Sequence, residues 1–217
     1  MQLPTATIKF PEIALKTRDG HKLRGFFGNL FKQHSELLHN HFDDGSLRFK
    51  YPLVQYKVIE NIPYLVGLQE GAKLLVELFL KIKFLNIEDK QYQINSKNIT
   101  TNITEIDDFN QLREYKFATL WMALNQKNFV IYKNPNTNKQ EFLNKMLQNN
   151  ILSFYKGIDY HVNDKILAKG NFVERQTMFK DKKILAFSGS FVTNAILPEF
   201  VGIGKSTSRG FGTVVSK

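Results

Sequence analysis

The sequence predicts an α+β protein made of two consecutive modules, and three observations predict it. The first half alternates strand-like and helix-like runs in the order strand, helix, strand, strand, helix, strand. The second half repeats that order, with a glycine-rich loop where its last helix would stand. Between the halves lies a polar stretch with no sustained apolar period.

In the first half, Thr5 to Leu15 is extended and β-branched, and Leu23 to Phe42 has helical period. Leu23, Phe27, Leu30, Leu37 and Leu38 fall on one stripe, with Asp43, Asp44 and Gly45 as the stop. The runs "LRFKYPLVQYKVI" and "IPYLVGL" flank Glu60 and Asn61 and predict a hairpin, and Pro52 and Pro63 put its strands at an edge or a bulge. Gly71 to about Asn86 is a helix apolar over most of its circumference, expected between two layers. A strand near Gln91 to Asn95 completes the unit, and this order is the ferredoxin-like split βαβ arrangement.

The stretch "NSKNITTNITEIDDFNQ" is the expected linker, dividing the chain into domains 1–97 and 110–217. After it comes the alternating run "EYKFATLWMAL", the turn-rich "NPNTN", and a helix from Lys139 to Tyr155. Phe142, Leu143, Met146, Leu147, Ile151 and Phe154 make its stripe, which is expected to be core. "KILAKGNFVER" and "KILAFSGSFVTNAI", joined by the charged "MFKDKK", predict a long basic hairpin. "LPEFVGIGKSTSRGFG" and a short strand at Thr213 to Val215 close the chain. The fold class is therefore two tandem ferredoxin-like (RRM-like) βαββαβ modules, the second with its last helix replaced by a glycine-rich loop.

Composition bounds the chemistry. Lysine and arginine number 30 against 20 acidic residues, a net charge of +10 that favours polyanionic partners, although a basic protein with no such partner is also consistent with it. The absence of cysteine excludes disulfides, thiolate nucleophiles and cysteine-ligated zinc, and fits a cytoplasmic protein. The most apolar stretch, "GAKLLVELFLKIKFL", is interrupted by Lys73, Glu77, Lys81 and Lys83, so no membrane span is expected. The opening "MQLPTATIKFPEIALK" has no apolar signal core, and the sequons at Asn98 and Asn102 would matter only in a secreted chain.

The glycine loop decides between ligand classes. A nucleotide-binding P-loop requires glycine five positions before Gly204-Lys205-Ser206, where this chain has Glu199, whose carboxylate repels phosphate. A dinucleotide fingerprint requires a third glycine where Thr207 stands. What remains is a symmetric pattern: Gly202-Ile203-Gly204, five residues including Lys205, Ser206 and Arg209, then Gly210-Phe211-Gly212. Such a loop either serves turn geometry alone or brings backbone amides and two cations close to the phosphates of a strand, with Ile203 and Phe211 anchoring its legs.

This pattern resembles the C-terminal signature of the repeat-associated (RAMP) superfamily of CRISPR-associated proteins. The whole chain resembles the endoribonucleases of that superfamily that cut CRISPR repeat transcripts into guide RNAs, the Cas-six family. The resemblance implies two ferredoxin-like domains, repeat RNA as partner, further effector-complex proteins as candidate partners, a monomer or homodimer, and neither metal nor cofactor. It also implies a catalytic histidine at or after the first helix, and the subgroup with paired histidines is the most similar. In "LLHNHFDDG" these are His39 and His41; the letters HNH there are a coincidence, since the metal nuclease of that name disperses its residues through a ββα unit.

The implied reaction is metal-independent: the RNA 2′-OH attacks the adjacent phosphate and leaves 2′,3′-cyclic phosphate and 5′-OH ends. It needs a base, an acid and cations near phosphorus, and histidine serves either proton transfer near neutral pH. Residues two apart on a helix diverge, so His39 and His41 converge only where the helix ends. His34 and His41 share a face with the Leu23 stripe, so buried structural histidines are the competing account, preferred for His34.

Arg48, Lys50 and Tyr51 are the candidate charge stabilisers, with Arg24 a more distant phosphate contact. RNA contacts are expected from the glycine loop and from Lys165, Lys169, Arg175 and Lys180 of the hairpin; Lys182 and Lys183 fit a solvated face as well. The alternative function is a non-catalytic RNA-binding subunit of a CRISPR ribonucleoprotein.

Overall fold

The computed structural model describes residues 1–31, 51–179 and 182–217. They divide into two compact units: Met1–Ile106 with Ser208–Gly210, and Asp107–Thr207 with Phe211–Lys217.

The first unit runs β1 (Gln2–Lys9), α1 (Gly20–Leu30), β2 (Val54–Ile59), β3 (Ile62–Leu68), α2 (Glu70–Leu78), β4 (Phe84–Ile87), β5 (Lys90–Gln93) and β6 (Asn98–Glu105). Its main sheet has the order β2-β3-β1-β6 with every pair antiparallel, the split βαβ topology. The predicted hairpin turn is present: Glu60 and Asn61 both have positive φ (50° and 66°), giving the twist that a two-residue connection needs. Period-two alternation sends Ala6, Ile8 and Phe10 of the β1 segment into one core with Leu23 and Phe27 of α1 and Leu75 of α2. Phe27 stacks on Phe10, Phe31 and Tyr56 at centroid distances of 6.4, 6.3 and 5.8 Å. Pro63 lies beyond the last β1–β3 pair, Lys9 with Tyr64, so its missing N–H removes no bond from that ladder.

Four expectations change in this unit. The stretch expected as a linker holds β6, which pairs with β1 over eight residues from Gln2↔Glu105 to Lys9↔Asn98. The strand expected to close the sheet exists as β5 but pairs with β4 in a separate two-stranded sheet. The helix predicted to Asn86 stops at Leu78, passes through a 3-10 turn (Phe79–Lys81) and becomes β4; Val76 and Leu80 are exposed, so it is covered on one side only. The first helix begins at Gly20 and ends at Leu30, where Phe31 leaves helical backbone at φ −117° and ψ 28°. The predicted stop at Asp43, Asp44 and Gly45 lies outside the described residues.

The second unit runs β7 (Arg113–Phe117), α3 (Gln126–Lys133), α4 (Lys139–Gly157), β8 (Ala168–Phe179), β9 (Lys182–Thr193) and β10 (Val214–Ser216). Its sheet, β10-β7-β9-β8, repeats the strand order of the first. Between β9 and β10 stands only a 3-10 turn, Thr207–Arg209, in place of a helix. Leu143, Met146, Leu147, Ile151 and Phe154 of α4 are buried as expected. Trp121, fully buried, packs on Phe117, Phe172 and Phe187 at 5.2, 5.0 and 5.9 Å. The helix α3 was not foreseen; the Asn125 side chain caps it by accepting the Asn128 N–H at 2.7 Å. No helix among the described residues is long and apolar enough to cross a membrane.

Candidate nucleic-acid interface

The two legs of the glycine loop are held to the second unit by their own backbone. Ile203 N–H donates to the Gly212 carbonyl at 2.8 Å, and Gly212 N–H to the Leu120 carbonyl at 2.9 Å. Lys205 N–H donates to the Met122 carbonyl at 3.0 Å, and Thr213 N–H to Thr119 Oγ1 at 2.9 Å. These amides are satisfied internally, which changes the expected phosphate cradle.

The glycines follow from packing. Gly212 has φ +64°, and a Cβ there would sit 1.9 Å from the Ile203 carbonyl oxygen. At Gly204, φ +99°, a Cβ would lie 2.7 Å from Trp121 Nε1, which donates to Asn150 Oδ1 at 3.0 Å. Ile203 is fully buried, while Phe211 is half-buried and packs edge-on against Phe179 at 5.4 Å, so one leg is anchored in the core and the other on the hairpin.

The loop's tip belongs to the first unit. Gly20, opening α1, lies so close to the Arg209 backbone that a Cβ would meet its carbonyl oxygen at 2.7 Å. Gly210, φ +92°, lies against the Tyr56 carbonyl and Lys57 Cα in the same way, at 3.1 and 3.5 Å. Arg24 is one helical turn beyond Gly20. Its guanidinium is held below the ordinary arginine range first by burial and next by the neighbouring Arg209 charge. Both side chains carry the planar guanidinium that pairs with phosphate oxygens in two-pronged geometry. Below them Lys57 is fully buried, and that burial pushes its ammonium down to about 7; burial likewise pushes the Tyr56 phenol up. The Tyr51 hydroxyl accepts from Gln55 Nε2 at 2.8 Å.

Strand alternation divides the basic hairpin. Cross-strand pairs share a face, so Arg175 (opposite Ala186) and Lys182 (opposite Phe179) lie with Lys169 on one face, that of Phe179. Lys183, opposite Met178, takes the other face with Glu174 and Phe187. Lys165 lies before β8 rather than on it, and is exposed.

Two family models tile the chain: the Cas6b N-terminal domain matches residues 1–105 and the Cas6b C-terminal domain residues 108–217. The chain belongs to the Cas6b family. It is similar to a crystal structure of Cas6b with 36% identity and a TM-score of 0.94, covering 100% of both chains. It is similar also to a crystal structure of a CRISPR RNA processing endoribonuclease Cas6b, with 30% identity, a TM-score of 0.79 and 100% of both chains covered. The uncharacterized protein MJ0978 of Methanocaldococcus jannaschii is 34% identical over 143 residues, 64% of this chain and 96% of that protein.

In this Cas6b chain, the sequence-predicted residues His34, His39, His41, Arg48, Lys50 and Lys180 lie outside the described residues. Of the others, the structure brings Arg209 to Arg24 and Gly210 to Lys57, and leaves Lys165 apart from the hairpin face. Lys57 was missed by sequence reasoning. The available signal was a lysine in the middle of the otherwise strand-like "VQYKVI", since a lysine at a buried strand position requires an account.

Proposed function

We propose that this Cas6b chain is the endoribonuclease that cuts CRISPR repeat transcripts to guide RNAs, by attack of the RNA 2′-OH on the adjacent phosphate and without metal. The observation that carries it is the full-length similarity to a Cas6b described as a CRISPR RNA processing endoribonuclease. In this reaction His39 and His41 between them supply the general base that takes the 2′-OH proton and the general acid that protonates the leaving 5′ oxygen. Arg48, Lys50 and Tyr51 offset charge building on phosphorus. Arg209, aided by Arg24, holds a phosphate of the bound strand, and Lys205, Ser206, Lys169 and Arg175 make further contacts with the RNA. Glycines 202, 204, 210 and 212 set the loop's path so that these side chains face the RNA.

Proton transfer and electrostatics together account for such chemistry. A positioned acid or base contributes about 10²–10⁴-fold in rate, and the 2′-OH supplies a nucleophile already attached to the substrate.

The test is incubation with repeat RNA in EDTA. Products with 2′,3′-cyclic phosphate and 5′-OH ends are expected. A His39→Ala, His41→Ala double variant should lose cleavage by at least about 10²-fold while still binding the RNA. Binding with no cleavage by the unaltered protein would support a non-catalytic RNA-binding subunit instead, and full activity of the double variant would remove both histidines from the site.

A further inference from the structure

In the second unit, α3 and the outer half of the β8–β9 hairpin enclose a cleft of about 760 Å³, separate from the glycine loop. Its floor and walls come from Phe129 and Lys133 of α3, Gln126 at the start of that helix, and Gln176, Lys183 and Leu185 of the hairpin. Only Tyr132 of α3 is buried; Phe129 is 41% exposed, and its neighbour Val130 is 70% exposed. A helix this thinly covered leaves an aromatic face open beside polar amides and cations.

The charge in the cleft is not balanced by its own acid. Glu174 accepts from the Tyr132 hydroxyl at 2.7 Å and pairs with Lys139 at 3.3 Å and Lys133 at 3.7 Å. One carboxylate thus faces two ammonium groups, and Lys183, on the same strand face, adds a third. The lining combines a partly exposed ring, two primary amides and excess positive charge. That is the combination by which proteins hold an unstacked base and its flanking phosphates. Met122, Leu124, Val130 and Ile184 complete an apolar lining, and Lys133, Arg175 and Lys183 outnumber Glu174, an excess of positive charge that suits a phosphate-bearing ligand better than a charge-matched protein surface.

The geometry points to this cleft as a binding pocket for an unpaired nucleotide of RNA, stacked on Phe129, with Gln126 and Gln176 at the base edge and Lys133 and Lys183 at its phosphates. Its volume admits one or two nucleotides and not a duplex. The inference rests on the chain being RNA-binding. It assigns the single-stranded part of the RNA to a surface that holds none of the glycine-loop residues and that meets the basic hairpin face at Arg175.

The test uses the full chain and a fluorescent twelve-residue oligouridylate, a probe with no stem. Phe129→Ala should weaken its binding about tenfold, because base–aromatic stacking removed by alanine typically costs between about five- and a hundredfold. Phe129→Trp should restore it, and Lys183→Gln should weaken it and flatten its salt dependence. Unchanged thermal unfolding of Phe129→Ala, a half-exposed site, shows that the fold is kept; should it unfold, 4-thiouridine crosslinks mapped to the α3 peptide in the unaltered protein decide instead. Equal affinity of the variants, absence of an α3 crosslink, or a change in oligomeric state with RNA affinity intact would each overturn the pocket. Repeat-RNA cleavage measured in parallel separates the two readings: loss of affinity in a protein that does not cleave sinks the nuclease and keeps the pocket, and cleavage with unaltered affinity does the reverse.

Discussion

At the scale of single residues, two positions carry strain or charge that the surrounding fold must bear. Lys57 is fully buried with its ammonium pushed down to about 7, while in the unfolded chain it titrates near the ordinary lysine value of about 10.4. Between those values the unfolded state binds more protons, so stability rises as pH climbs from about 7 toward 10, by at most about 1.4 kcal/mol per pH unit. Replacing it with methionine should flatten that rise, measured by urea unfolding at pH 7, 8, 9 and 10; equal slopes in the two proteins would show that Lys57 is solvated. Gly204 is the second position. Alanine there must adopt φ +99° and displace the Trp121–Asn150 hydrogen bond, so Gly204→Ala should lower stability by about 2 kcal/mol or more, read as a drop in the urea midpoint. The sequence showed the loop's glycines plainly but not their reason. Spacing cannot tell a glycine that admits a ligand from one that admits a tryptophan, and here Gly204 and Gly212 admit neighbouring protein. Arg209 was legible as a cation on the loop; its placement beside Arg24 was not, because they lie 185 positions apart in the chain.

At the scale of elements, the hairpins, α4 and the core of α1 were legible because apolar period and turn chemistry agreed there. The β6 strand was not. Its residues "NITTNITE" form the edge of the sheet, with Asn98, Thr100, Thr101, Asn102 and Ile103 exposed. A strand with so little burial shows no alternation to read, although its threonines and isoleucines favour extended backbone. The α3 helix was missed for a similar reason, having one buried side chain and three consecutive apolar residues, Phe129 to Ile131, that fit neither period. In "LLVELFLKIKFLNI" the predominantly apolar run, broken only by Glu77, Lys81, Lys83 and Asn86, hid the change from helix to strand, an ambiguity that period cannot resolve. The edge strand gives a direct discriminator. Successive N–H groups of an edge strand alternate between neighbour and solvent, so of Thr100→Pro and Thr101→Pro one must break a bond to β1. That variant should lose about 1 kcal/mol or more in unfolding free energy; if both are as stable as the unaltered protein, the segment is the linker that its composition suggested.

For the whole molecule, the excess of ten positive charges, two ferredoxin-like units and a Cas6b match spanning the chain converge on RNA as the partner. The fold class was readable from the order of elements alone, and the superfamily from the glycine pattern near the C-terminus. The division of the loop was not, since Ser208–Gly210 group with the first unit while the residues on either side group with the second. A catalyst that uses the substrate's own hydroxyl needs a ribose at one place and nowhere else. The measurement that tests this most directly is cleavage of a repeat RNA carrying one 2′-deoxynucleotide immediately 5′ of the mapped cut. The account predicts that this RNA binds as tightly as the unmodified one and is not cut, whereas a deoxy substitution two nucleotides away leaves cutting intact. Cutting at the original position in the modified RNA would contradict it.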